Sequence, residues 1–317
     1  MKPRILVSKC LGFDACRYDG GIIKDDFIKR LKNHVEFELI CPEVEMGLSV
    51  PRQAVRMIKQ EDFKLVASLS GEDHTGLMKA YLDKKSLVLD QTIYHGAILK
   101  SRSPSCGIKD VKVYKSHGKV PCLEDKTSGM FGGFLCEKFP LLAIEDEGRL
   151  KNYNIREHFL TRVFTSLKYE EVKSSKKIKN LIDFHSDYKY LLMAYHQSIQ
   201  KEMGRLIAHS KTIDETLVSY EILLYKALEK PLKPGRNVNM MMHIFGYFSD
   251  QLSREEKGFF LEQLDMYRRR KIPFSVLMNM LYVWVLRFDV DYLKRQVIFN
   301  PYPKDILDVT DSGKGIK

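Results

Sequence analysis

The residues best able to do chemistry in this 317-residue sequence are its six cysteines: Cys10, Cys16, Cys41, Cys106, Cys122 and Cys136. Three of them share a setting. Cys10 follows the apolar run Ile5-Leu6-Val7 in VSKCLG, Cys41 follows Glu36–Ile40 in LICPEVEMGL, and Cys106 follows Ala97-Ile98-Leu99 in LKSRSPSCG. Each is flanked by Gly, Pro or Ser, which favour tight turns that free backbone N–H groups. Such groups stabilise thiolates and cluster sulfides. Soft thiolate ligands select zinc, Cu(I) or iron–sulfur clusters. A structural zinc site normally takes four protein ligands, often paired as CxxC, and no CxxC occurs here. Three thiolates without an evident fourth therefore point to a metal centre with one open position. From spacing alone, scattered core thiols are the more common outcome. That plainer reading is kept for Cys136, which sits in an apolar run, and for Cys122.

Cysteines this far apart meet only if the fold brings them together. The first half alternates apolar runs with helical patterns. Strands are expected at Ile5–Val7, Glu36–Ile40, Ala97–Leu99 and Leu141–Ile144, and helices at 25–34, 74–85 and 128–138. This alternation predicts an α/β fold with a mainly parallel sheet and flanking helices, Rossmann-like in arrangement. In such sheets the ligand crevice lies outside the carboxyl ends of the strands, where all three cysteines fall. From about Ile155 the pattern changes to long segments of helical period: 184–208, 212–229, 237–249, 254–270 and 273–287. Pro231, Pro234 and Gly235 read as breaks, Pro273 as a helix start, and Lys173–Lys179 as a loop or solvated helix start. Two domains are expected, 1–150 and an all-helical 155–317, with a polar, frayed tail from Asp308 to Lys317.

Composition narrows the function classes. The chain is 44% hydrophobic and 29% charged, as in a globular protein. No run of about 18 apolar residues is present, so no membrane span is expected. The opening MKPRILVSKCLG reads as a first buried strand rather than a signal peptide. A cytoplasmic location with reduced thiols follows as an expectation. The net charge of +11 is uneven. Residues 1–150 carry 24 Lys+Arg against 21 Asp+Glu, a balance of +3, while 151–317 carry 28 against 20, a balance of +8. A basic excess in one half points to a polyanionic partner such as RNA; a merely soluble basic surface is the alternative.

Four segments resemble the thiouracil desulfidase family: VSKCLG, RYDGG at Arg17–Gly21, CPEVEMGL with Pro51-Arg52 behind it, and LKSRSPSCG. The resemblance covers roughly residues 1–150. Residues 155–317 resemble the YbgA-like helical domain often fused behind it, through FHSDYKYLLMAYH and the closing FNPYP. The fused form is similar to desulfidases acting on 4-thiouridine in transfer RNA. The resemblance implies a [4Fe-4S] cluster on Cys10, Cys41 and Cys106, with a fourth iron free to take the substrate sulfur. Cys16, close to Cys10 in DACRYDGG, reads as a neighbouring or packing thiol.

The remaining candidates surround these cysteines. Glu43 and Glu45 lie just after a strand end and beside Cys41, although a surface position is the usual fate of glutamate. Glu45 is the expected base that activates water. Ser101 and Ser103, with Lys100, are expected to donate a proton or hydrogen bond to the substrate base, and Ser105 to serve the turn. Arg52 and Arg102 are expected to hold phosphate or a carbonyl oxygen. Tyr18 and Asp19 are expected to line the pocket, and Gly20 and Gly21 permit close backbone approach. The expected reaction replaces a C=S sulfur by oxygen and releases hydrosulfide, with no net electron transfer. The expected partner is tRNA or a thiolated pyrimidine nucleotide. Two other readings stay open: a desulfidase of free thiouracil or 4-thiouridine monophosphate, and an iron–sulfur redox-sensing RNA-binding protein without chemistry.

Overall fold

A computed structural model of the chain describes residues 1–308, 310 and 311. Its contacts divide the chain into two units, Met1–Leu167 together with the described residues from Pro303 on, and Lys168–Tyr302. A single helix, Tyr153–Ser175, starts between the expected domains 1–150 and 155–317, and the division after Leu167 falls inside it.

The first unit holds strands β1 (Arg4–Ser8), β2 (Glu36–Ile40), β3 (Val55–Lys59), β4 (Phe63–Ala67), β5 (Gly96–Leu99), β6 (Val111–Tyr114), β7 (Cys122–Thr127) and β8 (Ala143–Asp146). Its helices are α1 (Asp26–Leu31), α2 (Pro42–Glu45), α3 (Thr75–Leu89), α4 (Met130–Lys138) and the start of α5 (Tyr153–Ser175). One sheet has the order β2-β1-β5-β8 and is parallel throughout. Parallel strands covered on both faces read as unbroken apolar runs, and Ile5, Leu6, Val7, Ala97, Ile98 and Leu99 are fully buried.

The second sheet, β4-β3-β6-β7, is mixed, with β3 parallel to β6 and the other pairs antiparallel. The sequence pattern misses it. β6 alternates and β4 ends in the buried run Leu65-Val66-Ala67, but β7 is largely exposed and shows no apolar run. β8 begins two residues later than the apolar run Leu141–Ile144 predicts, because the half-exposed Leu141 lies before the edge strand and Glu145 and Asp146 extend it.

The segment carrying Cys106 is clamped by α4. Helix N-termini leave N–H groups without intrahelical partners. Here Met130 N, Phe131 N and Gly132 N donate to Pro104 O, Ser105 O and Ser105 O, at 3.0, 2.9 and 3.0 Å. Gly129 N reaches Gly107 O at 2.7 Å.

The second unit continues α5 and holds α6 (Ile178–Asp187), α7 (Lys189–Ala208), α8 (Ile213–Ala227), α9 (Pro234–Phe245), α10 (Arg254–Arg268), α11 (Phe274–Arg287) and α12 (Asp291–Lys294). They enclose an apolar core that includes Tyr195, Tyr220, Phe248, Phe260 and Leu281. The period over 184–208 is interrupted at Tyr188, and α7 bends at His196, whose backbone is non-helical. Pro234 and Gly235 open α9 rather than break a helix, since the first helical turn needs no N–H donor from proline. Lys173–Lys179 spans the end of α5 and the start of α6.

The near end of the tail is held rather than frayed. Arg30 pairs with the Asp308 carboxylate, and the buried Arg156 donates to Asp308 O and Thr310 O at 2.5 and 2.6 Å. The expectation for residue 309 and residues 312–317 lies outside the described residues. Among the described residues no helix is long and apolar enough to cross a membrane.

The clamp on the Cys106 segment gives a test. A methyl group at Gly132 would lie 2.5 Å from the Cys106 carbonyl oxygen and closer still to that of Gly107. Gly132→Ala should cost about 1–3 kcal/mol in urea unfolding, the usual cost of overpacking. It should also lower the iron bound per chain after anaerobic reconstitution. Unchanged stability and iron content would mean that α4 does not set the position of Cys106.

Candidate active site

Because its four strands are parallel, the first sheet presents all their carboxyl ends on one rim. Cys41 follows β2, Cys10 lies two residues past β1, Lys100–Cys106 follow β5, and Glu147 follows β8. The direction of strand addition reverses between β1 and β5, and a crevice opens at such a switch point. A cavity of about 230 Å³ lies there, lined by Cys10, Cys16, Cys41 and Cys106 together with Glu43, Lys100, Ser101, Arg102 and Ser103. The three expected cysteines thus meet.

Cys16 joins them as a fourth thiol, buried, with its carbonyl oxygen against Cys41 Sγ at 4.0 Å. Burial, and next the neighbouring Cys41, push the Cys10 thiol up to about 11 and the Cys16 thiol up to about 12. Burial raises Cys106 as well, while a hydrogen bond to Ser8 acts in the opposite direction. Thiols this close disfavour one another's thiolates, so a set of thiolates here calls for a cationic group between them. Among the described residues no three His, Cys, Asp or Glu side chains are grouped to hold a single metal ion. A cubane cluster asks for a wider set, because each thiolate takes a different iron. Three or four soft donors around one cavity fit such a group. The other two thiols lie elsewhere: Cys136 is half-buried in α4, and Cys122 is exposed at the start of β7 rather than in the core.

The structure separates the two glutamates. Glu45 turns away from the cavity. Its carboxylate accepts from Cys41 N at 2.9 Å and Tyr81 OH at 3.0 Å, and Lys85 lies 3.7 Å away. It caps the backbone N–H of Cys41, whereas the sequence reading has it activating water. Glu43 faces the cavity, with Oε2 accepting from Arg52 Nε and Nη2 at 3.0 and 2.6 Å and Oε1 accepting from Ser105 Oγ at 2.9 Å.

Arg52 lines the cavity, but its donors are already taken by the protein. Its side chain is 7% exposed. Besides Glu43, its guanidinium donates to Cys16 O at 3.1 Å and Ser49 O at 3.1 Å, which uses its five N–H groups. Arg102 instead is exposed at the cavity rim, in left-handed backbone at φ 56°.

Ser103, which lines the cavity, takes the turn role expected of Ser105. Ser103 Oγ serves the turn, accepting from Cys106 N at 3.1 Å and Ser105 N at 3.3 Å, and Ser105 holds Glu43. Tyr18 lines the mouth and is 44% exposed. Asp19 lies outside the lining. Its Oδ1 accepts from Arg17 Nε at 3.2 Å and Gly21 N at 2.9 Å, and these bonds, that of Arg17 first, hold its carboxyl below the usual range.

Glu147 is the residue that the sequence did not disclose. It is 8% exposed, and it accepts from Lys100 Nζ and, at 2.7 Å each, from Ser101 N and Ser101 Oγ. The strand-end rule that found the cysteines would have found it, had β8 been placed two residues later. Lys100 completes the group by donating to Ser101 Oγ at 2.9 Å and Ser101 O at 3.0 Å. All three of its N–H donors are then engaged, so Lys100 supports Ser101 instead of reaching a ligand.

A family model described as 2-thiouracil desulfurase matches residues 5–147, and one described as a protein of unknown function, DUF1722, matches residues 189–303. The uncharacterized protein YbbK of Bacillus subtilis (strain 168) is 35% identical over 109 residues, 32% of this chain and 72% of YbbK. The uncharacterized protein YbgA of Escherichia coli (strain K12) is 24% identical over 158 residues, 49% of this chain and 93% of YbgA. A solved [4Fe-4S]-dependent thiouracil desulfidase, TudS, is 27% identical and covers 47% of this chain and 93% of its own, with a TM-score of 0.37. Through residues 5–147 the chain belongs to the 2-thiouracil desulfurase family, with a DUF1722, YbgA-like domain behind the desulfurase part.

Proposed function

We propose that the chain is a non-redox desulfidase that replaces the C4 sulfur of 4-thiouridine in transfer RNA by oxygen and releases hydrosulfide, with a [4Fe-4S] cluster on Cys10, Cys41 and Cys106. The observation that carries this reading is the convergence of these thiols with Glu43 and Ser101 around one cavity. When bound, the cluster supplies a Lewis-acidic iron that polarises the C=S group. Glu43 takes the role first given to Glu45: it orients the attacking water and accepts its proton, held in place by Arg52 and Ser105. Ser101 hydrogen-bonds the pyrimidine ring. Arg102 and Tyr18 at the rim suit a phosphate and a base face, respectively. A nucleotide inside a folded RNA must be unstacked to enter, at a cost of a few kcal/mol. Phosphate contacts by the basic residues of 151–317 offset that cost.

Anaerobically reconstituted protein should carry about four irons per chain, the count of a cubane cluster. Replacing Cys10, Cys41 or Cys106 by Ser should remove stable incorporation, while Cys122→Ser and Cys136→Ser should not. An active protein loaded only with zinc would overturn this reading.

The two glutamates should differ sharply. Glu43→Gln should keep the cluster absorbance and lower turnover by roughly 10²–10⁴-fold, the range for losing a general base. Glu45→Gln, outside the cavity, should cost less than about tenfold on the same scale. The reverse ranking would return the role to Glu45.

Arg268, Arg269, Arg270 and Lys271 are all exposed at the end of α10, and one of them, Arg269, is paired with Asp265 at 2.8 Å. Reversing their charge should weaken desulfuration of thiolated tRNA and flatten its salt dependence, because each phosphate contact releases counterions. Turnover of free 4-thiouridine monophosphate should stay the same. Equal loss on both substrates would favour a free nucleotide as the substrate and a structural helical unit.

A further inference from the structure

Resting on the reading above, we infer that Glu147 is a positioning residue that fixes the hydrogen-bonding polarity of Ser101, so that the site selects a pyrimidine ring bearing an N–H beside the thiocarbonyl. A serine hydroxyl has one donor and two acceptor positions. The Ser101 Oγ–H is directed at Glu147 Oε1, 2.7 Å away, and one lone pair accepts from Lys100 Nζ at 2.9 Å. Only an acceptor lone pair is left for a molecule in the cavity that Ser101 lines.

The arrangement cannot easily invert. Glu147 is buried, acceptor-only when ionised, and takes three donors, Lys100 Nζ, Ser101 N and Ser101 Oγ. Lys100 has donors only, and all three are engaged by Glu147, Ser101 Oγ and Ser101 O. Turning the Ser101 proton into the cavity would leave a carboxylate lone pair unmatched in a buried setting, which is costly. The backbone reinforces this polarity. Glu147 follows β8, Lys100 and Ser101 follow β5, and these strands are paired through Leu99 and Asp146. The carboxylate and hydroxyl are therefore carried by adjacent strand ends of one sheet. A 4-thiouracil ring offers N3–H next to C4=S and meets an acceptor there. A ring methylated at N3 does not.

The experiment compares uridine 5′-monophosphate with its N3-methyl analogue in binding, by titration calorimetry on anaerobic holoenzyme, and the two 4-thio counterparts in turnover. Wild type should favour the N–H form in both. Glu147→Gln places an amide where the carboxylate stood and should reduce that preference by about tenfold, the scale of one well-made hydrogen bond. Ser101→Ala leaves the buried Lys100–Glu147 pair in place and provides a second variant if Glu147→Gln does not fold. It should erase the preference to a similar extent. Once Ser101 is Ala, Glu147→Gln should add nothing further. A folded variant that keeps the wild-type preference overturns the inference. If no thiopyrimidine is turned over by wild type, yet the binding preference is present and lost in the variants, the inference stands and the desulfidase reading falls.

Discussion

Four parallel strands in the order β2-β1-β5-β8 impose the constraint on which the rest of the structure depends. Parallel pairing sends every carboxyl end to the same rim, and the switch in strand order leaves a gap there. Residues separated by up to 137 positions, from Cys10 to Glu147, are gathered by this single topological fact. The fully buried runs of β1 and β5 make the sheet a rigid base, and rigid elements hold a site more precisely than loops do.

Around that rim almost every charge is matched. Arg52 binds Glu43 and the carbonyls of Cys16 and Ser49, and Lys100 binds Glu147 and Ser101. Glu45 caps the backbone N–H of Cys41. Buried charges are tolerated only when paired and hydrogen-bonded. The effect is to lock rotamers around the thiols, while Glu43, Ser101 and Arg102 remain facing the cavity. Two of these three are aimed by partners that do not line it, Ser105 and Glu147. Arg102 is held by its backbone. A left-handed conformation costs a non-glycine residue roughly 1–2 kcal/mol, and such conformations cluster at functional sites.

The helical unit follows different rules. Its core is apolar and aromatic, and its helices are amphipathic, so 3.6-residue periodicity was enough to place most of them. The exceptions are informative. The bend at His196 and the break at Tyr188 carry no Gly or Pro, so no local signal announces them. Pro234, a conspicuous signal, was misread because proline is as good at opening a helix as at ending one.

What the sequence determined by itself was the parallel sheet and the cysteines at its rim. The buried runs of β1 and β5 are continuous and apolar, and Cys10, Cys41 and Cys106 lie two, one and seven residues past the ends of β1, β2 and β5. The resemblance in the motifs around them then supplied the chemistry. What only the tertiary structure decided was which polar side chains face the cavity. Glu43 and Glu45 sit two residues apart after the same strand, and the sequence reading favours Glu45. The short helix α2 directs one at the cavity and the other back at Cys41 N. Ser103 and Ser105 divide their roles in the same way, through the turn that seats Cys106. The mixed sheet of β3, β4, β6 and β7 and the carboxylate of Glu147 were also hidden. In the first, β7 is too exposed to show an apolar period, and the second lies past an edge strand whose polar end does not look like one. Direction and partnership of polar side chains arise from contacts made across strands, and no spacing along the chain encodes them.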